Sequence, residues 1–207
     1  MDSAQSPYIT HLARDKKFAK ILVGKESFAL SKRRAIYLHL CFSIMSQQLS
    51  TKVADIIRQR FLKLYTGKPN PEQILATTHE ALRSIGLSGA KANYVHNVAH
   101  FAIEFGMDQK TLAKMDNEEV IEYLTKIKGV GRWTVEMLLM FTLGREDVFA
   151  VDDLGIQQAM IAIYKLDKTD KKKLRADMLR ISAKWSPYRS FACLHLWRHK
   201  DKKPDIE

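Results

Sequence analysis

Apolar residues recur at intervals of three and four along almost the whole chain, and no segment alternates convincingly by two. That periodicity predicts helices over roughly 7–23, 33–48, 52–65, 71–86, 89–105, 117–127, 132–143, 153–164, 170–183 and 187–199. The boundary residues agree with it. Asn70-Pro71 and Ser186-Pro187 each place a capping side chain before a first-turn proline. Asp116 with Glu119 has the spacing of a capping box. Gly86 and Gly106 fall where helices should stop. The chain is expected to be all-α, with about ten short helices.

Composition narrows the class. With 207 residues, 46% of them apolar, the chain can build a core as one large domain or two small ones. Lys and Arg outnumber Asp and Glu by 34 to 23, a formal charge of +11, and the segment from Lys165 to the end is especially basic. Such a surplus favours a polyanionic partner, because basic groups on a duplex release condensed counterions. No apolar run approaches the roughly 20 residues needed to span a bilayer. The opening Met1-Asp2-Ser3-Ala4-Gln5-Ser6-Pro7 has neither a basic flank nor an apolar stretch of a secretory signal. Cys41 and Cys193 both sit in apolar helical patterns, which suits buried thiols in a reducing, intracellular setting, whether nucleoid or nucleus. Two cysteines exclude a four-cysteine iron–sulfur site.

The most specific stretch is Leu124-Thr125-Lys126-Ile127-Lys128-Gly129-Val130-Gly131-Arg132-Trp133-Thr134-Val135-Glu136. One amphipathic helix ends near Lys128, a Gly-Val-Gly turn follows, and a second helix starts near Arg132. Both glycines permit positive backbone dihedrals and close approach of another backbone. Val130 between them can pack inward and set the interhelix angle. The turn would aim unpaired N–H groups and a helix N-terminus outward, a ready site for phosphate. Lys128 and Arg132 flank it and would add charge-assisted contacts.

Some twenty residues on, the apolar loop Asp147-Val148-Phe149-Ala150-Val151 runs into Asp152-Asp153-Leu154-Gly155. One aspartate is explained by helix capping. Two side by side, next to apolar residues, repel each other, and spacing alone leaves a structural and a functional reading equally open.

Leu-x-x-Ile-Lys-Gly-Val-Gly-x-Trp-Thr closely resembles the DNA-binding hairpin of the helix-hairpin-helix glycosylase superfamily, in its alkylpurine branch. Ser46-Gln47-Gln48-Leu49-Ser50, Gly86-Leu87-Ser88-Gly89-Ala90-Lys91-Ala92 and the stretch from Trp185 to Phe191 extend the likeness over roughly residues 30–200. The resemblance implies a single domain (1–207) of two helical subdomains with the active-site cleft between them, the hairpin at about 124–136 and the catalytic loop at about 147–155. It implies that Asp153 is the catalytic acid, with Asp152 as the capping or loop-stabilising residue. Many members carry a proline where this chain has Val151, so a rigid φ constraint is missing.

The resemblance also assigns a base pocket to Trp133, Trp197, Met137 and Leu154. A tryptophan taken singly is ordinarily a core residue, and Met137 and Leu154 stand where relatives carry aromatics. Gln48 falls at the wedge that fills the gap left by a flipped nucleotide. Lys128, Gly129, Val130, Gly131 and Arg132 would bind the DNA backbone. The carbonyls of Thr125, Ile127 and Val130 would hold a monovalent cation, Na+ or K+. No organic cofactor is implied. Trp185, Tyr188 and Phe191 are read mainly as packing.

The expected activity is monofunctional excision of alkylated purines from double-stranded DNA by a monomer. An alkylated purine leaves readily, so one carboxylate suffices. In bifunctional relatives a lysine attacks the sugar; Trp133 holds its position here, Lys126 and Lys128 precede the turn, and Lys91 is distant in sequence. Two alternatives stay open: a glycosylase for deaminated or oxidised bases, and a non-catalytic DNA-binding protein in which Asp153 merely caps.

Overall fold

The computed structural model describes residues 6–22 and 27–201. Among them are thirteen α-helices, one 3-10 turn and no strand. Helix α1 is Pro7–Leu12, α2 Lys16–Leu22, α3 Ile36–Ser46, α4 Thr51–Lys63, α5 Pro71–Ala76, α6 His79–Ser84 and α7 Gly89–Glu104. Then come α8 Gln109–Leu112, α9 Asn117–Leu124, α10 Arg132–Phe141, α11 Leu154–Tyr164, α12 Lys171–Ser182, the 3-10 turn Ala183–Trp185 and α13 Arg189–Asp201. None of these helices is long and apolar enough to cross a membrane.

The helix count exceeds ten because two long periodic runs are broken by polar caps. The run 7–23 splits because Asp15 turns its carboxylate onto the N–H groups of Lys17 and Phe18, at 3.0 and 3.2 Å, and starts a new helix. Val23, at its predicted end, lies outside the described residues. The run 71–86 splits where the Thr78 hydroxyl accepts the Ala81 N–H. Short α8, started by Asp108, has no apolar period of its own to betray it. The hairpin's first helix stops at Leu124, short of Lys128. The Thr125 hydroxyl donates to the Ile121 carbonyl, and the chain tightens into Leu124–Ile127 and Ile127–Val130 turns.

Capping elsewhere follows the residue types. Asn70 with Gln73 and Asp116 with Glu119 form capping boxes, and Pro71 occupies the first turn. Gly86 and Gly106 end helices with φ of 106° and 80°. Ser186 does not cap: its hydroxyl donates to Asp147 at 2.8 Å, and α13 begins only at Arg189.

The chain divides into two compact units, Lys32–Leu143 and the combined termini Met1–Ser31 with Gly144–Glu207. In the first unit, α7 packs against α3 and α5, and α10 against α3 and α9. Its core contains Leu40, Cys41, Ile44, Phe61, Val95, Val98 and Leu139, all fully buried. Burial pushes the Cys41 thiol up to about 12, so it stays protonated and inert. In the second unit, α11 packs on α13 and α2. Trp185 is buried against Phe18 and Phe149, and Phe191 stacks on Tyr8 at 4.1 Å. Removing the Trp185 ring would cost about 3–5 kcal/mol. The packing role expected for Trp185 and Phe191 holds.

Candidate functional site

In the terminal unit, the loop 147–153 is apolar because it is inside: Val148, Phe149, Ala150 and Val151 are all buried. Both of its flanks are anchored. Asp147 pairs with Arg189 at 2.6 Å and accepts from Ser186, while the Val148 N–H donates to the Ser190 hydroxyl at 3.0 Å. Burial alone would raise the Asp147 carboxyl, but the Arg189 and Ser186 hydrogen bonds outweigh it and hold it below the usual carboxylate range. Val151 donates to Phe149, Asp153 to Ala150, and the Gln157 amide reaches the Val151 carbonyl, all at 3.0–3.1 Å. Hydrogen bonds thus supply the rigidity that a proline at 151 would give.

The two aspartates take opposite roles from those expected of capping. Asp153, not Asp152, is the N-cap of α11: its Oδ1 accepts the Ile156 N–H at 2.9 Å. The same oxygen accepts the Trp197 indole N–H at 2.8 Å. Asp152 turns to solvent and pairs with Arg175 at 3.2 Å. The reason is positional: Asp153 immediately precedes the first helical residue, where its carboxylate reaches the third helical amide. The repulsion between adjacent acids is relieved because each faces a different donor. A Cβ at Gly155 would lie 3.1 Å from Trp197 and 3.2 Å from Asp153, so the glycine makes room for this pair. Leu154 is 66% exposed.

In the central unit, the hairpin turn is built asymmetrically. Gly129 has φ +102°, and the Tyr94 ring occupies the space a Cβ would need. Gly131, by contrast, is extended (φ −98°), and a Cβ there would meet nothing within 4 Å. Only the first glycine needs a positive dihedral. Gly131 is the N-cap of α10 and offers no side chain to its amides. Val130 is buried, as expected. Lys128 is exposed, whereas Arg132 spans two acids, Glu118 at 2.8 Å and the buried Glu136 at 3.0 Å. Arg132 is therefore committed within the protein, and Lys128 is the flanking cation turned to solvent.

The carbonyls of Thr125, Ile127 and Val130 follow the C-terminus of α9, where helix carbonyls lack intrahelical partners and the dipole favours positive charge. One of them, Ile127, also accepts the Val130 N–H at 3.0 Å. A set of hard neutral oxygens there fits a monovalent cation.

The same unit contains a cavity of about 790 Å³ between α3 and α10 whose lining includes Gln48, Trp133, Met137, Phe42 and His39. Trp133 is 46% exposed, so it is not a core tryptophan. Arg33 and Arg58 also line the cavity, and no acid does among the described residues. Burial first, then Arg33, Arg58 and Lys68, hold the His39 imidazole below its ordinary value, so it is neutral at neutral pH. Gln48, at the end of the α3 loop, has φ +58°, unusual for a residue with a Cβ. The Gln47 and Met45 carbonyls before it accept the Lys91 ammonium at 2.7 and 3.0 Å.

Three of these features escape sequence reasoning: the Trp197 bond to Asp153, the grip of Lys91, and His39 in the cavity. None is legible from sequence spacing, since each joins residues far apart in the chain.

The central unit thus offers a glycine turn that opens a helix, and the terminal unit an aspartate that caps one and accepts an indole N–H. The chain belongs to the HhH-GPD superfamily of base excision DNA repair proteins, whose family model matches residues 41–184. Its relatives include DNA-3-methyladenine glycosylase 1 of Schizosaccharomyces pombe, 34% identical over 88% of this chain and 80% of that protein. That enzyme's structure with abasic DNA superposes with a TM-score of 0.80 at 32% identity, covering 95% of this chain and 99% of the other. A DNA-3-methyladenine glycosidase from Bacillus halodurans superposes with a TM-score of 0.83 at 34% identity, covering 96% and 91%.

Proposed function

We propose that the protein is a DNA glycosylase that excises alkylated purines of the 3-methyladenine and 7-methylguanine type from duplex DNA, with Asp153 as its catalytic carboxylate. The observation that carries this is Asp153 itself, held by the Ile156 amide and the Trp197 indole on one oxygen. As the N-glycosidic bond breaks, the bonding electrons go to the cationic purine, which leaves neutral, and positive charge grows on the deoxyribose. The Asp153 carboxylate stabilises that charge and takes a proton from the attacking water. Trp133 and Met137 offer a wall for the everted base, Gln48 fills the gap it leaves, and Lys128 with the Gly129–Gly131 turn grips the backbone. A monovalent cation on the Thr125, Ile127 and Val130 carbonyls would lend positive charge toward a DNA phosphate. The family names borne by the relatives support the same substrate class.

The enzyme works as a monomer and leaves an intact abasic site. Trp133 stands where bifunctional members carry their lysine, and the Lys91 ammonium is bound to two carbonyls. The test is release of methylated purines from duplex DNA with borohydride present. Free base without a covalent adduct is the expected outcome. An adduct at turnover rates would overturn the monofunctional reading, and no release would overturn the enzyme.

A second reading, excision of uncharged deaminated or oxidised bases, is favoured by one observation. The cavity beside Trp133 holds Arg33 and Arg58, and Met137 replaces an aromatic that would favour a cation. Hypoxanthine-containing duplex in the same assay separates the two.

A further inference from the structure

Gln48 holds a left-handed backbone conformation that is strained for a residue with a Cβ and persists only when its surroundings enforce it. What enforces it is visible. Helix α3 ends at Ser46, and two carbonyls at that end, Met45 and Gln47, are met by a side chain of α7. There Lys91, half-buried in the first turn of α7, donates to the Met45 carbonyl at 3.0 Å and to the Gln47 carbonyl at 2.7 Å. The Gln47 carbonyl belongs to the peptide plane that links Gln47 to Gln48. Fixing that oxygen fixes the rotation on which the φ of Gln48 depends. Two charge-assisted bonds are strong enough to oppose the strain.

The same side of α7 reaches the hairpin. Three residues beyond Lys91, the Tyr94 ring lies against Gly129, and three further on the Asn97 amide donates to the Lys128 carbonyl at 3.1 Å. The Gln47 side chain closes the gap with a long contact to the Gly129 carbonyl at 3.5 Å. One helix therefore supports both the Gln48 loop and the turn offered to phosphate.

We propose that Lys91 is a positioning residue that holds Gln48 poised for insertion into the duplex. This rests on the glycosylase reading and adds to it a part that acts through Gln48 without touching the reacting atoms. Lys91→Met keeps the aliphatic stem and removes the ammonium; Lys91→Arg keeps a cation.

The experiment measures single-turnover release of 3-methyladenine at saturating enzyme, with 2-aminopurine fluorescence beside the lesion reporting base eversion. Lys91→Met should slow release by about tenfold or more, the scale of a misplaced group near the chemistry, and blunt the fluorescence rise. Lys91→Arg should recover most of both. The decisive arm is a double-mutant cycle with Gln48→Ala. If Lys91 acts through Gln48, adding Lys91→Met to Gln48→Ala should change the rate by less than about twofold. An equal further loss in that background, or a Lys91→Met enzyme as fast as wild type, overturns the inference. If Lys91→Met fails to fold, Lys91→Arg against Lys91→Gln in both backgrounds decides between the same outcomes. A wild-type protein that neither releases base nor raises fluorescence instead defeats the glycosylase reading.

Discussion

Two helix starts stand at the centre of the proposed function, and they are finished in opposite ways. Helix α11 begins under a carboxylate: Asp153 accepts the Ile156 amide and the Trp197 indole. Helix α10 begins at Gly131, a residue with no side chain to cap it, and there is open space where a Cβ would be. The helix macrodipole places partial positive charge at both. At α11 the protein supplies the negative charge itself, and the bonds that satisfy the amide also aim the carboxylate. At α10 the proposed function leaves that place to a phosphate of the DNA backbone. In the proposed function the same local physics would serve a catalyst in one unit and an anchor in the other.

Asp153→Asn gives the sharpest break of this comparison. Asparagine caps as well as aspartate, so folding and duplex affinity should hold while excision falls by at least about two orders of magnitude. Asp152→Asn removes only an exposed pair with Arg175 and should leave the rate near wild type. A larger loss from Asp152→Asn would move catalysis to the other acid. Trp197→Phe comes next. It keeps most of the ring but removes a hydrogen bond to a charged group worth about 1.5–3 kcal/mol. Excision should drop about tenfold or more at unchanged duplex affinity; an unchanged rate would reduce Trp197 to packing.

The two glycines should separate in a thermal melt. Gly129→Ala strains a positive φ and strikes Tyr94, so it should destabilise the fold by more than about 1 kcal/mol. Gly131→Ala should leave the fold nearly as stable and weaken duplex binding. Equal melting temperatures for both would contradict the asymmetry of the turn. Lys128 and Arg132 sharpen the same point. Lys128→Ala should flatten the log–log salt dependence of duplex affinity by about 0.9, whereas Arg132→Ala should first lower stability, because Glu136 is buried beside it.

The smallest effect concerns the anchoring of the Asp153 loop. The Asp147 carboxyl is depressed in the fold, so its contribution to stability is present above the ordinary aspartate range and lost as pH falls through the folded value. Wild type should out-melt Arg189→Met by about 1–3 kcal/mol at pH 6. The gap should start to narrow below about pH 4 and close once pH has fallen below the folded value. A gap independent of pH would mean that Arg189 acts by packing alone.

Local patterning carried most of the fold and the position of its parts. The apolar period located the major helices, the cap at Asn70 and the capping box at Asp116 marked their starts, and the Gly-Val-Gly turn marked the hairpin, because each depends on residues within a few positions of one another. Where local signals competed, sequence was a poorer guide. Asp15 and Thr78 cut helices that periodicity runs straight through.

What the tertiary structure alone decided is which partner each polar group finds. Arg132 goes to Glu118 and Glu136, Trp197 bonds Asp153 across 44 positions of sequence, and Lys91 reaches back 44 positions to the Gln47 carbonyl. A buried or half-buried donor must be satisfied by whatever acceptor packing brings within 3 Å. No periodicity along the chain encodes that choice.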